Sequence, residues 1–361
     1  MHVQKKGRLM SDNHSSSYPR QLWWVAALSE EVTRTFTSRW IADRPVLLYR
    51  RADGSPVALD NRCVHRSYPL SSSWLEGDNV VCGYHGFTYR PDGKCIRVPS
   101  GETPPPDAQV HSYPVVESGP FLWIWTGDPD AADPTTVPDT SPMTGDGWTV
   151  ITGHYEIDAN YLDLHENLLD LTHFSYLHAG NLGTDAWASV PVQVELSDET
   201  VRTVRLLENH EPPGLYARVM GLVGHTVDRH AVATVPTPAI HLALGRLVDL
   251  QPETDRIDYN LYVIHAITPI SENRLHQFWV ISRDFAVGDD SVTEQLLAGT
   301  RQAFQEDVDA LNAISDMKRR DGRKDYRQVS TTSDKAGHQL RRLVGRAIRR
   351  DESGARVVQH A

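Results

Sequence analysis

The chain has 361 residues, with 47 acidic and 36 basic side chains giving a formal net charge of −11. A 40% hydrophobic content with nine tryptophans supports a sizeable core and excludes a disordered chain. The acidic balance argues against a nucleic-acid partner, because phosphate neutralisation needs a surplus of Lys and Arg. No run of about 18 apolar residues is present to span a membrane, and no apolar stretch follows the basic N-terminus to make a secretory signal. Three cysteines are too few for a disulfide scaffold, so reduced thiols and the cytoplasm are expected. The first residues read as a mobile tail, with Met1 and Met10 as alternative starts.

Residues 18–127 read as short strands parted by turns. VLLYRRADGSPVAL and FTYRPDGKCIRV each set Asp-Gly between two strand-like runs, and GPFLWIWTGDP is a buried strand closed by a turn. Residues 128–147 are dense in Pro, Asp and Thr and read as a linker. Beyond them YLDLHENLLDLTHFSYLH is helical in character, with apolar residues at Leu164, Leu168, Leu171 and Leu177. Strands return over 190–285, and SVTEQLLAGTRQAFQEDVDALNAISDMKR predicts a long amphipathic helix. The expected class is α+β: an N-terminal all-β domain, then a second domain over 148–320 of antiparallel sheet flanked by helices. Residues 321–361 form a basic tail in which HQLRRLVGRAIRR predicts an amphipathic helix, solvated or packed on a neighbouring subunit.

Two loops carry metal-ligand chemistry. Cys63-Val-His65 and, after sixteen residues, Cys82-Gly-Tyr-His85 each offer one thiolate and one imidazole. A Rieske-type [2Fe–2S] centre needs two thiolates on one iron and two imidazoles on the other, so each loop supplies one of each. Gly83 and Gly86 let the backbone pass close enough to donate N–H groups to the sulfurs. A structural zinc site also uses two Cys and two His, but usually takes like ligands from the same loop. Cys95 lies outside the pattern and reads as a buried, apolar-like thiol.

A second constellation places Asn167, Asp170, His173 and His178 on one predicted helix. A five-residue step turns about 140° at roughly 100° per residue. The two imidazoles therefore share a metal only if the helix bulges or ends between them; otherwise they are ordinary helix histidines with polar caps. The long C-terminal helix offers Glu306, Asp307 and Asp309, for which a solvated face is the bland reading.

RCVHRSYPLSSSWLEGDNVVCGYHGFTYRPDGKCIRVPS resembles the Rieske domain of the ring-hydroxylating non-haem iron oxygenases. Asn167–His178 is similar to that family's N-x-x-D-x-x-H-x-x-x-x-H signature, with every polar position filled. Length and layout look most like the vanillate O-demethylase and aryl-sulfonate monooxygenase branch. The resemblance implies a Rieske cluster on Cys63, His65, Cys82 and His85. It also implies a mononuclear Fe(II) on His173 and His178 in a 2-His-1-carboxylate triad with open positions for O2. Asp307 aligns best as the carboxylate, with Glu306 and Asp309 as alternatives; the LNAISD that follows departs from the family pattern. Asp170 is implied to bridge His173 to His85 of an adjacent subunit, with Asn167 near the iron.

The function implied is that of the terminal oxygenase component of a monooxygenase that hydroxylates or O-/N-demethylates an aromatic substrate. Electrons would come from NADH or NADPH through a separate flavin/iron–sulfur reductase or ferredoxin, and a head-to-tail homotrimer would carry transfer between subunits. A cis-dihydroxylating dioxygenase uses the same metal sites, and a Rieske electron-transfer protein or a zinc-bearing scaffold are the readings from other classes. The substrate pocket is expected from the strands and loops between 180 and 300, through Trp187, Met220, Leu222, Ile240, Leu244 and Phe278. Arg218, Arg229 and Arg246 are candidates to hold a carboxylate or sulfonate. The remaining histidines, His154, His165, His210, His225, His230, His241, His265 and His276, read as ordinary polar residues.

Overall fold

A computed structural model describes residues 17–197, 199–323 and 326–353. The N-terminal tail with its alternative starts, and the last residues of the basic tail, lie outside the described residues. The N-terminal half holds three small antiparallel sheets. Trp23–Leu28 pairs with Phe121–Trp125, which pairs with Val115–Ser118. Thr37–Ile41, Arg44–Arg50, Pro56–Asp60 and Ser112–Tyr113 form the second sheet. Trp74–Glu76, Asn79–Val81, Thr88–Tyr89 and Cys95–Arg97 form the third, which supports the two cysteine loops. Between the halves, Asp128 and Asp133 each cap a short 3-10 turn that begins with proline, so the Pro- and Asp-rich segment is a run of defined turns.

The second half is built on a seven-stranded antiparallel sheet. From one edge its order is Thr149–Ile157, Arg274–Arg283, Asp258–Ser271, Ile240–Asp249, Val227–Thr237, Val201–His210 and Gln193–Leu196. One core runs unbroken from Trp24, Phe121 and Trp123 of the first half to Ile264, Phe278 and Val280 of this sheet. The halves are thus joined through buried apolar surface rather than by the connecting turns alone.

The long helix, Asp290–Arg320, starts where the Asp289 side chain accepts from the Ser291 and Val292 N–H groups, and it ends in Lys318, Arg319 and Arg320. Its buried stripe, Leu296, Thr300, Ala303, Phe304, Asp307, Val308 and Leu311, has the 3–4 residue spacing of one helix face. Asp307 is the acidic residue on that stripe. No described helix is long and apolar enough to cross a membrane.

Two expectations change. The helix predicted to carry both histidines, with a bulge or an end between them if they share a metal, stops before either, spanning only Tyr161–Leu169 with Asp170 as its C-cap. Over residues 335–353 the basic tail is a packed element of this chain, with arginines left on its exposed face. Lys335–Ser353 folds back as a helix that buries Ala336, Leu340, Leu343 and Val344 in the same core as Leu164 and Leu168. Arg341 on that helix pairs with Asp163 and Glu166 of Tyr161–Leu169. Its charge is satisfied within the chain.

Candidate metal centres and substrate floor

The two cysteine loops fold alike. The Cys63 N–H donates to the Tyr68 carbonyl (2.9 Å) and the Ser67 N–H to the Cys63 carbonyl (2.9 Å). In the second loop the Cys82 N–H donates to the Phe87 carbonyl (2.8 Å) and the Gly86 N–H to the Cys82 carbonyl (2.8 Å). The residue four beyond each cysteine takes a positive φ, +56° at Ser67 and +75° at Gly86, which explains a glycine in the second loop. This repeat buries Cys63 and Cys82 to 2% and 1% exposure. It leaves His65 exposed and His85 part-exposed, their rings 4.6 Å apart. Phe87 stacks on His65 at 4.7 Å.

Thiols inside and imidazoles at the rim is the asymmetry required by a two-iron cluster held by two cysteines and two histidines. Burial pushes the Cys82 thiol up, so its thiolate form needs a cationic partner. The Tyr89 hydroxyl lies 3.0 Å from Cys63 Sγ. Toward a thiolate it can only donate, and such bonds to cluster sulfurs tune reduction potential. Cys95 belongs to neither loop and is buried in the same small core as Cys63 and Cys82, with its Sγ 3.4 Å from the Arg97 carbonyl.

The second centre follows from where the helix ends. At Asp170 the backbone leaves the helical region (φ −106°, ψ 90°), and the Asp170 side chain accepts from the Thr172 N–H to start the 3-10 turn Leu171–Ser175. His173 lies on that turn and His178 beyond it, so their rings converge at 5.1 Å. Asp307 meets them from the long helix, with Oδ1 3.6 Å from His173 Nε2 and 3.2 Å from His178 Nε2. The ligand atoms of all three lie within 4.8 Å of one another.

The tautomers follow from the partners. His173 Nδ1 lies 2.7 Å from the Asp170 main-chain carbonyl, and His178 Nδ1 lies 2.7 Å from Glu306 Oε2. Neither oxygen can donate, so each Nδ1 carries a proton, and in the neutral imidazole each Nε2 is bare. Both Nε2 atoms are buried without a hydrogen-bond partner. Two bare nitrogens facing a carboxylate fit a divalent iron of the 2-His-1-carboxylate kind. Burial lowers the pKa of His173, with Asp307 opposing. Burial pulls His178 down too, but Asp307 and Glu306 outweigh it and leave its pKa raised.

The neighbours sort themselves around this trio. Asn167 Nδ2 donates to Asp307 Oδ1 at 3.0 Å. Glu306 orients His178 instead of joining the trio, and Asp309 is exposed, accepting from Gln305 Nε2 (2.8 Å). The expected bond from the Asp170 carboxylate to His173 is made by its main chain. The carboxylate Oδ1 accepts from Thr172 and, at 3.4 Å, from Arg205.

The register shows what faces this centre. The pairs His265 with Trp279, His241 with His265, Ala233 with Ala243, Ala231 with Gly245 and Arg205 with Ala231 put these residues on one sheet face. That face meets the long helix through Phe304, 5.4 Å from His265 and 5.6 Å from Trp279. Ala231, Ala243 and Gly245 sit mid-sheet yet are only half-buried, so small side chains leave an open floor.

At one end of the floor Arg229 is 4% exposed with its guanidinium carbon 4.0 Å from the Trp187 ring centroid, 5.6 Å from that of Tyr216 and 6.0 Å from that of Phe174. It has no ion pair or hydrogen bond among the described residues, and its Nη1 is buried unpartnered. Burial pulls its pKa down to about 10. At the other end His165, His241 and His265 form a chain with ring spacings of 6.0 and 5.9 Å. Both ring nitrogens of His241 are buried without partners.

The sequence reads these histidines as ordinary polar residues, whereas the structure buries all three. The signal available was a histidine in each of two apolar strand runs, PAIHLAL and YVIHAIT. Of the expected pocket residues, Trp187 lies at the floor. Leu244 and Phe278 belong to the opposite face, Phe278 pairing with His154, and Ile240 lies in the main core. Met220 and Leu222 pack with Tyr216 in a second core. Arg218 is exposed and Arg246 is paired with Asp258.

Fold and site together define an oxygenase component with a Rieske cluster and a non-haem iron. Residues 22–114 match the Rieske [2Fe-2S] domain, and residues 157–350 match the vanillate O-demethylase oxygenase C-terminal domain. The chain belongs to this family of Rieske non-haem iron oxygenases and is an oxidoreductase. It is 34% identical to the toluene-4-sulfonate monooxygenase system iron-sulfur subunit of Comamonas testosteroni, over 81% of this chain and 87% of that one. It is 32% identical to the dicamba O-demethylase oxygenase component of Stenotrophomonas maltophilia, over 82% and 88% respectively. The crystal structure of dicamba monooxygenase bound to dicamba superposes with a TM-score of 0.85 at 29% identity, covering 92% of this chain and 98% of that one.

Proposed function

We propose that this oxygenase takes an aromatic substrate bearing a carboxylate or sulfonate and inserts one oxygen atom of O2, with hydroxylation or O-/N-demethylation as the outcome. The observation that carries the anionic class is Arg229. A buried guanidinium without a counter-ion is costly, and a bound anion removes that cost. The relatives named for toluene-4-sulfonate and vanillate agree with it, and breakdown of aromatic compounds is the matching role.

Cys63, His65, Cys82 and His85 would hold the cluster, and His173, His178 and Asp307 the iron; together these groups supply single electrons and O2 activation. Asn167 steadies the Asp307 carboxylate, and Glu306 keeps the His178 proton on Nδ1. The alanine and glycine floor admits a flat ring while Arg229 fixes its charged end. Trp187 and Phe174 keep water from the guanidinium. A separate NADH- or NADPH-linked reductase or ferredoxin would deliver electrons, and the three free buried cysteines suit the reducing cytoplasm.

A head-to-tail homotrimer would bring His85 of one subunit to Asp170 of the next. The surface position of His85 and the Asp170 Oδ2, which makes no hydrogen bond among the described residues, support this path.

The test pairs benzoate and benzenesulfonate with neutral ring analogues. Arg229→Met should weaken anion binding by roughly 10- to 150-fold, the range for losing a hydrogen bond to a charged group. Neutral analogues and iron content should be unchanged. Equal anion binding by wild type and variant would remove Arg229 from substrate recognition, and labelled O2 counts the atoms inserted.

A further inference from the structure

The edge of the seven-stranded sheet carries a second set of ligand atoms that the oxygenase chemistry leaves unused. His154 and Glu156 are two residues apart on the edge strand Thr149–Ile157 and so share a face. Register pairs Glu156 with His276 of Arg274–Arg283, and His154 with Phe278 beside it. Backbone pairing therefore brings three donor side chains together. His154 Nε2 lies 3.0 Å from His276 Nδ1, and Glu156 Oε1 lies 3.8 Å from that same nitrogen. All three ligand atoms fall within 4.8 Å of one another.

We propose that His154, Glu156 and His276 form a site for a divalent cation of the zinc class, separate from both redox centres. Two imidazoles and one carboxylate are a donor set that holds zinc with a fourth position left to water. Ligands about 2.0–2.1 Å from a tetrahedral ion lie about 3.3–3.4 Å apart, between the two spacings observed here.

The rings are held in advance. His276 is 1% exposed, and His154 stacks on buried Phe278 at 4.5 Å with 14° between the planes. Burial disfavours the charged form of both imidazoles, so a cation has to displace only the single proton shared between His154 Nε2 and His276 Nδ1. Glu156 is the exposed member and gives the entry path. Arg274 holds its other oxygen, Oε2, and so orients Oε1 inward.

The two nearby cations are already engaged. Arg274 pairs with Glu156 and Asp158, and Arg39 pairs with Glu31 at 3.4 Å. The site lies beside the seam between the two halves, where Thr152 Oγ1 donates to Glu30 Oε1 at 3.0 Å. A cation here would stiffen that seam.

The holoenzyme, with cluster and iron loaded, is dialysed against graded Zn2+ and analysed for both metals. One zinc per chain is expected with iron content and Rieske absorbance unchanged, together with a rise in the unfolding midpoint. His154→Gln and Glu156→Gln should each weaken zinc binding roughly tenfold or more and abolish the rise. Both lie at the rim, so they keep the test open if His276→Ala fails to fold. Zinc that enters only as iron leaves, or that binds both variants as tightly as wild type, would overturn the site. It would leave His154 and His276 as a neutral hydrogen-bonded pair.

Discussion

Glu306→Ala isolates what lies behind the iron trio. Glu306 is not one of the three converging side chains, yet its Oε2 accepts the Nδ1 proton of His178 at 2.7 Å. The His178 side chain is fully buried, so no water replaces the lost acceptor. A hydrogen bond to a charged group contributes about 1.5–3 kcal/mol. Without it the proton can move to Nε2, the atom that must stay bare. Loss of such an outer partner typically weakens metal binding 10- to 100-fold, or about 1.4–2.7 kcal/mol, so the two routes agree. Glu306→Gln should be milder. Its carbonyl can still accept from His178, but the amide NH2 then faces Gln302 Nε2, which now donates to Glu306 Oε1 at 2.9 Å. The assay is iron retained against graded chelator, with Rieske absorbance as the internal control. Wild-type iron affinity in Glu306→Ala would refute the reasoning, as would an order of loss in which Gln is worse than Ala.

A Cβ at Gly183 would lie 1.7 Å from the Phe174 carbonyl oxygen, so Gly183→Ala should displace the turn bearing His173. Iron should be lost while the cluster spectrum stays intact; unchanged iron content would show that the turn can yield. Asp170→Asn keeps the main-chain carbonyl that orients His173 and should therefore retain iron within about twofold. If the carboxylate serves the neighbour's His85, turnover should fall more than tenfold with both centres occupied, and unchanged turnover would remove that role. Acid should destabilise the fold through its neutral histidines. Burial holds His165 down to about 4 and His265 to about 3, below the ordinary 6.5 of an unfolded chain. The unfolded chain takes up these protons first, so stability is full above about pH 6.5 and falls with pH, by about 2 kcal/mol per group at pH 5. Urea midpoints at pH 7 and 5 measure this, and a His165→Gln chain equally sensitive to acid would discount His165.

The cluster loops were legible because their chemistry is local. His65 follows Cys63 by two positions, His85 follows Cys82 by three, and the Gly86 turn is a short-range feature. The strand content and the long helix were legible from periodicity, and that periodicity also holds a distinction left open on sequence alone. Asp307 shares a stripe with Phe304, Val308 and Leu311, while Glu306 and Asp309 fall to either side. The helix stop at Asp170 was not legible, because Leu171 and Leu177 continue an apolar pattern that the Asx-type bond to Thr172 overrides. The substrate floor was not legible either. Ala231, Ala233, Ala243 and Gly245 become neighbours only through the register of two adjacent strands. Arg229 and Arg246 look equivalent in sequence, but only Arg246 gains a carboxylate, Asp258.

Asp170 shows why the geometry needs that broken helix. A continuous helix would keep the carbonyl of Asp170 for an N–H four residues on, and His173 would lose the acceptor that fixes its proton on Nδ1. Ending the helix at Leu169 frees this carbonyl for the imidazole and the side chain for the Thr172 N–H and Arg205. The main chain then sets the metal-facing atom of His173, while the carboxylate stays available for a second partner through Oδ2. The backbone of Asp170 thus orients His173, and its side chain is left for other partners. On the proposed path to a neighbour's His85, a substitution of the Asp170 side chain would spare iron binding and reduce electron delivery.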